Sequence, residues 1–311
     1  MLVLSEAEVR SLLTVDRLME RISEALIAVS RGDVSIPPRV AASVPERGFV
    51  AAMPGYVTNV LETKLVSLFA GNERRGLPSH QAVIVVFDPE TGTPLALMDG
   101  TWITACRTAA TSALATRVLA RNDAEILAVI GTGVQARSHV SILPHGHAFR
   151  EIRVAGRTSA KVSALAEETG ATPCASIADA VRGADVISLC TNAPEPVIDR
   201  RWLAAGAHVN SIGYNEGGGE LDEATIRDGR LVVESRVAFE PPPAGAAELQ
   251  GVAPSDAVEL GEILSGDRRG RTSSEQITVY KSMGHAAEDA AAAGLVLERA
   301  REVGAGATVE L

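Results

Sequence analysis

The sequence predicts an α/β protein whose centre is a doubly wound parallel sheet of Rossmann type, preceded by a strand-rich α+β region. Short apolar runs at Glu125–Ile130, Glu151–Ala155, Asp185–Cys190, Ala207–Ile212 and Leu231–Glu234 are mostly separated by helical stretches such as Ala160–Glu168 and Ile177–Arg182. That alternation is the rhythm of βαβ units, whose strands are buried on both faces. Ahead of it, strand-like segments follow one another through turns, as in an antiparallel sheet. Behind it, a last strand at Gln276–Tyr280 leads into a long alanine-rich helix from His285 to Glu302.

In chain order, Ser5-Glu6-Ala7-Glu8 followed by Val9, Leu12 and Leu13 reads as a capped helix start. Leu18, Ile22, Ala25, Leu26 and Val29 continue at helical spacing until Gly32-Asp33 breaks the pattern. Strands are expected at Arg39–Val44, Gly48–Met53, Glu62–Phe69, Ala82–Phe87 and Pro94–Asp99, with a turn at Asp88–Gly92, and then a small-residue helix over Thr104–Leu119. Pro241-Pro242-Pro243 marks a rigid loop, and no internal repeat is present.

The 311 residues are 46% hydrophobic, enough for a sizeable core. With 29 basic against 39 acidic residues the net charge is −10, which argues against nucleic acid or an anionic membrane as partner. The start, MLVLSEAEVR, lacks the basic and long apolar parts of a signal peptide, and no run approaches a membrane span. Cys106, Cys174 and Cys190 show no CxxC spacing, so neither a disulfide framework nor a zinc ribbon is favoured. The expected setting is the cytoplasm.

The strand Ile126–Ile130 runs directly into Gly131-Thr132-Gly133-Val134-Gln135-Ala136, and a helix follows. This is the GxGxxA dinucleotide fingerprint in its required strand–turn–helix setting. Gly131 permits the tight turn, Gly133 lets the backbone approach a pyrophosphate, and the helix N-terminus supplies unpaired N–H donors. An NAD-selective site carries an acidic residue after the second strand, where this chain has Gly156-Arg157-Thr158. A guanidinium there suits a 2′-phosphate, so NADP(H) is favoured, with NAD(H) still open.

No metal constellation is expected: His80 stands alone, and His139, His145 and His147 read as surface residues. There is no GxSxG elbow. Hydride transfer needs neither, since the cofactor carries that chemistry. The cations placed to bind an acidic substrate are Arg39, Lys64 within an apolar strand, and Arg107 within a small-residue helix. Buried charge is costly unless paired or met by a ligand.

These segments resemble the ornithine cyclodeaminase/mu-crystallin family, and within it the ketimine reductases. The matching stretches include Pro38-Arg39, Met53-Pro54-Gly55-Tyr56, Thr63-Lys64-Leu65-Val66, Pro78-Ser79-His80-Gln81, Ile103–Ala110, Gly131–Ala136, Gly156-Arg157-Thr158 and Thr278–Gly284. The resemblance implies a substrate-binding and dimerisation domain, residues 1–122 with 283–311, around an inserted Rossmann domain, residues 123–282. It implies a homodimer and a small amino or imino acid substrate held by Arg39, Met53, Lys64, His80 and Arg107. Lys64 and Arg107 would serve catalysis, Lys64 by assisting imine protonation. Thr108, Thr191, Gly213, Lys281 and Ser282 would join Gly131, Thr132, Gly133, Val134, Gln135, Gly156, Arg157 and Thr158 around the cofactor. The family's cyclodeaminases carry an aspartate where this chain has Tyr214 or Asn215, with Glu216 and Glu220 nearby and a Gly217–Gly219 run that reads as a flexible loop. That departure favours an NADP(H)-dependent imine reductase. The alternatives are an ornithine or lysine cyclodeaminase with tightly bound NAD, and a non-catalytic crystallin-like binder.

Overall fold

The computed structural model describes residues 1–310. The chain forms two compact units, Met1–Arg107 with the segment from His285 onward, and Thr108–Gly284. The first opens with β1 (Leu2–Leu4), α1 (Glu6–Leu12) and α2 (Val15–Arg31). Ser5 and Glu8 cap α1 reciprocally, the Ser5 hydroxyl accepting the Glu8 N–H while the Glu8 carboxylate accepts the Ser5 N–H. Gly32, at φ +75°, ends α2 in the left-handed conformation that favours glycine. Strands β2 (Val40–Val44), β3 (Gly48–Val57), β4 (Val60–Leu68), β5 (His80–Phe87) and β6 (Pro94–Asp99) then lead into α3 (Thr101–Leu119).

The second unit contains β7 (Ile126–Ile130), α4 (Val134–Ile142), β8 (Glu151–Ala155), α5 (Ser159–Thr169), β9 (Thr172–Pro173), α6 (Ile177–Val181) and β10 (Val186–Leu189). It continues with β11 (His208–Ser211), α7 (Glu223–Asp228), β12 (Arg230–Val233), β13 (Val258–Glu259), α8 (Leu260–Leu264) and β14 (Thr278–Lys281). The eight strands form one parallel sheet in the order β13-β12-β14-β11-β10-β7-β8-β9. Strand order reverses beside β7, and an open α/β sheet offers its ligand crevice at such a switch point. The Gly131 turn stands there.

The boundary between units falls inside α3, not at residue 122. The half of α3 from Thr108 is bound by second-unit side chains. Ser112 Oγ lies 3.0 Å from His139 Nε2, Asn210 donates to Thr116 Oγ1 at 3.0 Å, and Arg271 Nε donates to the Leu119 carbonyl at 2.7 Å. Fully buried alanines, among them Ala109, Ala110, Ala113 and Ala115, let the helix come that close.

The chain returns to the first unit with α9 (Ala286–Val303) and β15 (Ala307–Thr308). The first unit's sheet runs β15-β1-β6-β5-β4-β3-β2. The antiparallel expectation is met from β2 to β6, but β1 joins β6 in parallel. With three residues, β1 shows no alternation for a pattern to register. Helix α9 packs on α2, β3 and β4, and its run of alanines brings its backbone close to the sheet.

Candidate active site

Along β4, side chains alternate between faces, so Glu62, Lys64 and Val66 share the side that α9 covers. Lys64 pairs in register with Met53 of β3 and Ile84 of β5, and Arg39 lies immediately before Val40, whose partner is Ala52. The first turn of α9 presents Glu288 and Asp289, where a helix N-terminus favours negative charge. Lys64 Nζ donates to Asp289 Oδ2 at 2.5 Å, and Arg107 Nε donates to Asp289 Oδ1 at 3.1 Å. Arg107 Nη1 donates to Glu288 Oε2 at 2.5 Å. All four are buried, Lys64 at 2% exposure and Asp289 at 0%.

Protonation follows from these neighbours. Burial works to raise the Asp289 carboxyl, but the charges and hydrogen bonds of Lys64 and Arg107 outweigh it and hold Asp289 below the usual range. Burial lowers Lys64, aided by Arg107 and opposed by Asp289. His80, on β5, is pushed down to about 4 by burial and then by Lys64 and Arg107, so its ring is neutral at pH 7. Glu62 is pushed well above the carboxylate range by burial and by the negative charge of Asp289.

The cationic trio expected from the sequence is therefore something else in two of its members. Lys64 and Arg107 are each matched by buried carboxylates, Glu288 and Asp289, that sequence reasoning did not single out. Arg39 is half-buried at the head of β2. The signal for the missed pair was present: two adjacent acids in a helix start otherwise built of alanine, Ala286-Ala287 before them and Ala290–Ala293 after. Such a charge-balanced cluster still suits a zwitterion. Lys64 spends one of its three donors on Asp289 and has others for an acid group.

In the second unit, Gly131 has φ +132°, and a Cβ there would run into the Cys190 carbonyl, so only glycine makes this turn. Gly133 caps α4 without any side-chain bond, and a Cβ at Gly133 would meet nothing within 4 Å. Val134 is 60% exposed. The first N–H groups of α4 thus face space that a pyrophosphate fits. Gly156 packs against Thr132, a Cβ there standing 3.1 Å from Thr132 Cγ2. Arg157 is exposed and makes no bond to protein among the described residues, and Thr158 is the N-cap of α5 with no side-chain cap bond.

Most of the remaining expected cofactor residues are bonded to buried acids. Thr191 donates through its N–H and hydroxyl to Glu220 Oε1 at 2.6 and 2.7 Å, and the Gly213 N–H donates to Glu220 Oε2 at 2.7 Å. Lys281 Nζ donates to the Gly213 carbonyl at 2.5 Å and pairs with Glu248 at 2.7 Å. Ser282 donates to Glu234 at 2.6 Å. Lys281 and Ser282 are both buried; Lys281 holds the loop around Gly213 from within, while Ser282 is tied to Glu234. Thr108 is buried in α3.

His139 is not a surface residue: it is fully buried between Gln135 and Ser112, and burial pushes it down to about 4. His147 is half-buried and bonds the Ala124 carbonyl, while His145 is exposed. The Gly217–Gly219 run is not a free loop at its far end, because a Cβ at Gly218 would strike the Pro194 carbonyl and one at Gly219 the Glu248 carboxylate.

A family model, the ornithine cyclodeaminase/mu-crystallin family, matches residues 1–304. The chain belongs to the ornithine cyclodeaminase/mu-crystallin family. Mouse ketimine reductase mu-crystallin is 40% identical over 276 residues, covering 86% of each chain. Among solved structures, the Thermococcus litoralis Delta(1)-pyrroline-2-carboxylate reductase in complex with NADH and L-proline superposes with TM-score 0.91 at 34% identity, over 99% of this chain and 100% of that one. An archaeal alanine dehydrogenase dimer with bound NAD gives TM-score 0.90 at 30% identity, over 100% of this chain and 99% of that one. The two solved relatives hold a nicotinamide cofactor, and the names of all three describe a ketimine reductase, a pyrroline-2-carboxylate reductase and an alanine dehydrogenase. Among the described residues, no helix of this family member is long and apolar enough to cross a membrane.

Proposed function

We propose that this protein is an NADP(H)-dependent reductase of small α-imino acids, cyclic or open-chain, yielding the amino acid. The observation that carries the reading is the buried Lys64–Asp289–Arg107 cluster in a chain whose relatives reduce cyclic imines. Lys64 and Arg107 bind the substrate acid group by charge-assisted hydrogen bonds and orient the imine carbon, with Arg39, Met53 and neutral His80 completing the site. When bound along Gly131–Gln135 and Gly156–Thr158, the reduced nicotinamide supplies hydride. Thr108, Thr191, Gly213 and Ser282 are assigned to the same cofactor, with Lys281 supporting the Gly213 loop.

Purified protein with NADPH and Delta(1)-pyrroline-2-carboxylate or a six-membered cyclic ketimine is expected to consume cofactor absorbance. Release of ammonia from ornithine, with no net cofactor change, would overturn the reading. That cyclodeaminase alternative has less support, because Glu220 is already committed to Thr191 and Gly213, and Tyr214 and Asn215 rather than an aspartate come directly after Gly213.

Preference for NADP(H) rests on the unengaged guanidinium of Arg157. Arg157→Ala is expected to raise KM for NADPH about 10-fold or more while leaving KM for NADH nearly unchanged. Equal effects on both cofactors would remove Arg157 from the 2′-phosphate.

We also propose a homodimer formed through the first unit's outer sheet face. Val50, Leu65 and Val83 are 46%, 40% and 41% exposed there, on adjacent strands. A contiguous apolar face on three paired strands fits a second copy, and the archaeal alanine dehydrogenase is a dimer. Leu65→Glu should shift sedimentation from dimer to monomer, and an unchanged dimer would reject this face. The three cysteines are free, which fits the proposed cytoplasmic setting.

A further inference from the structure

A carboxyl group taken out of water is almost always bonded in return, because burial without a partner is costly. Glu62 departs from this. It is 1% exposed, and neither of its oxygens has a hydrogen-bond partner. Its register partners are Gly55 on β3 and Val86 on β5. The same face of β3 offers Met53 and Val57 besides Gly55, and that of β5 offers Ala82 and Ile84 besides Val86, none of which is charged. The charged groups acting on Glu62 are Lys64 on its own strand and Asp289 on α9, and these two are bonded to each other at 2.5 Å. Gly55 withholds a side chain at this point: a Cβ there would lie 3.4 Å from Glu62 Oε1 and 3.3 Å from Ala286 Cβ. A buried acid beside the residues that hold the substrate thus lacks one bonding partner, and the site's substrate carries one nitrogen in need of a proton.

We propose that Glu62 donates the proton to the imine nitrogen, and takes it back from the amine when the reaction runs in reverse. The inference rests on the imine-reduction reading and moves the proton role from Lys64, tied to Asp289, to Glu62. In the reductive direction the Glu62 O–H bond breaks and an N–H bond forms. Hydride from the nicotinamide makes the new C–H bond, and the C=N π pair ends on nitrogen. The substrate is reduced, the cofactor is oxidised, and the Glu62 carboxylate regains its proton from solvent after product leaves. Burial and the charge of Asp289 hold the free enzyme's Glu62 in the protonated form that this step requires.

Glu62→Gln keeps the shape and removes the proton. Its kcat for imine reduction is expected to fall about 10²-fold with KM little changed. In the unaltered enzyme the rate declines at alkaline pH as the acid loses its proton, and that limb should vanish in the variant. Glu62→Asp should keep the limb with an intermediate rate. A second readout needs neither cofactor nor substrate. Unfolded Glu62 ionises near its ordinary value of 4.5, while the native group keeps its proton. The native state therefore binds more protons above that pH, so Glu62 makes stability decline as pH rises. Glu62→Gln should flatten that decline in Tm and be no less stable at pH 7. A variant with unaltered rate and alkaline limb would overturn the proposal. So would one that loses activity along with Tm while keeping the limb. Failure of the unaltered protein to reduce any imino acid would overturn the imine reading and the donor role together.

Discussion

Asp289→Ala is expected to destabilise the protein by about 3–5 kcal/mol, the largest stability loss anticipated for a single site residue. Asp289 accepts from Lys64 on one oxygen and from Arg107 on the other, and all three side chains are buried. Its removal leaves Lys64 without an ion partner among the described residues, while Arg107 retains Glu288. A stranded ammonium in apolar surroundings either deprotonates or draws water in, and both outcomes are costly. Urea unfolding reads the loss directly, and Tm should fall by roughly 6–20 °C. The pH dependence has a definite sign. Native Asp289 is held below its ordinary value of 3.8, so its contribution is complete above that pH and is lost as pH falls toward the native value. Asp289→Asn should remove that acid-side slope. A loss under about 1 kcal/mol would mean that the cations find other partners, as exposed pairs of that worth do.

The fold was readable where patterning is long. The parallel strands declare themselves because strands buried on both faces need continuous apolar runs, and Glu151–Ala155 begins and ends where the pattern places it, as does Pro94–Asp99 in the other sheet. Strands of two or three residues, such as β1, β9 and β15, carry too little pattern to be seen and owe their assignment to pairing partners. The unit boundary within α3 was hidden for a different reason. Alanine and threonine serve both halves of the helix equally, and only partners distant in sequence, His139, Asn210 and Arg271, reveal which unit claims each half.

The candidate site was legible in its cations and in its glycine turn. Lys64 and Arg107 stood out because apolar surroundings make a charge conspicuous, and the Gly131 turn because its strand and helix flank it in sequence. Glu62, Glu288 and Asp289 were as conspicuous by the same criterion and went unread, since attention to an acidic substrate selects for positive residues. The structure supplies what a list of cations lacks, namely that the positive charge of the site is balanced before any ligand arrives. That balance suits a substrate that becomes a zwitterion in the site, as an imino acid does once Glu62 has protonated its nitrogen and left an iminium carboxylate.

Lys64→Met is expected to lower kcat/KM for imine reduction about 10²–10⁴-fold, with a rise in KM that Glu62→Gln does not share. The substitution removes a buried ammonium whose remaining donors serve the substrate acid group in the proposed reaction, and it substitutes a flexible apolar chain of similar length. Asp289 keeps Arg107 as its counter-charge, so the fold should lose less than it does in Asp289→Ala. Both a charge-assisted bond and the orientation of the imine carbon go with Lys64, and each contributes to the barrier. Cofactor titration separates this from general damage: Gly131–Gln135 and Arg157 belong to the unit that does not contain Lys64, and a variant that folds should keep its NADPH Kd within about twofold. Arg107→Lys makes the complementary case, because it keeps the charge but not the planar fork that spans Glu288 and Asp289. If Lys64→Met left KM untouched while Arg107→Lys raised it, the acid group would belong to Arg107 alone, and Lys64 would act only through Asp289.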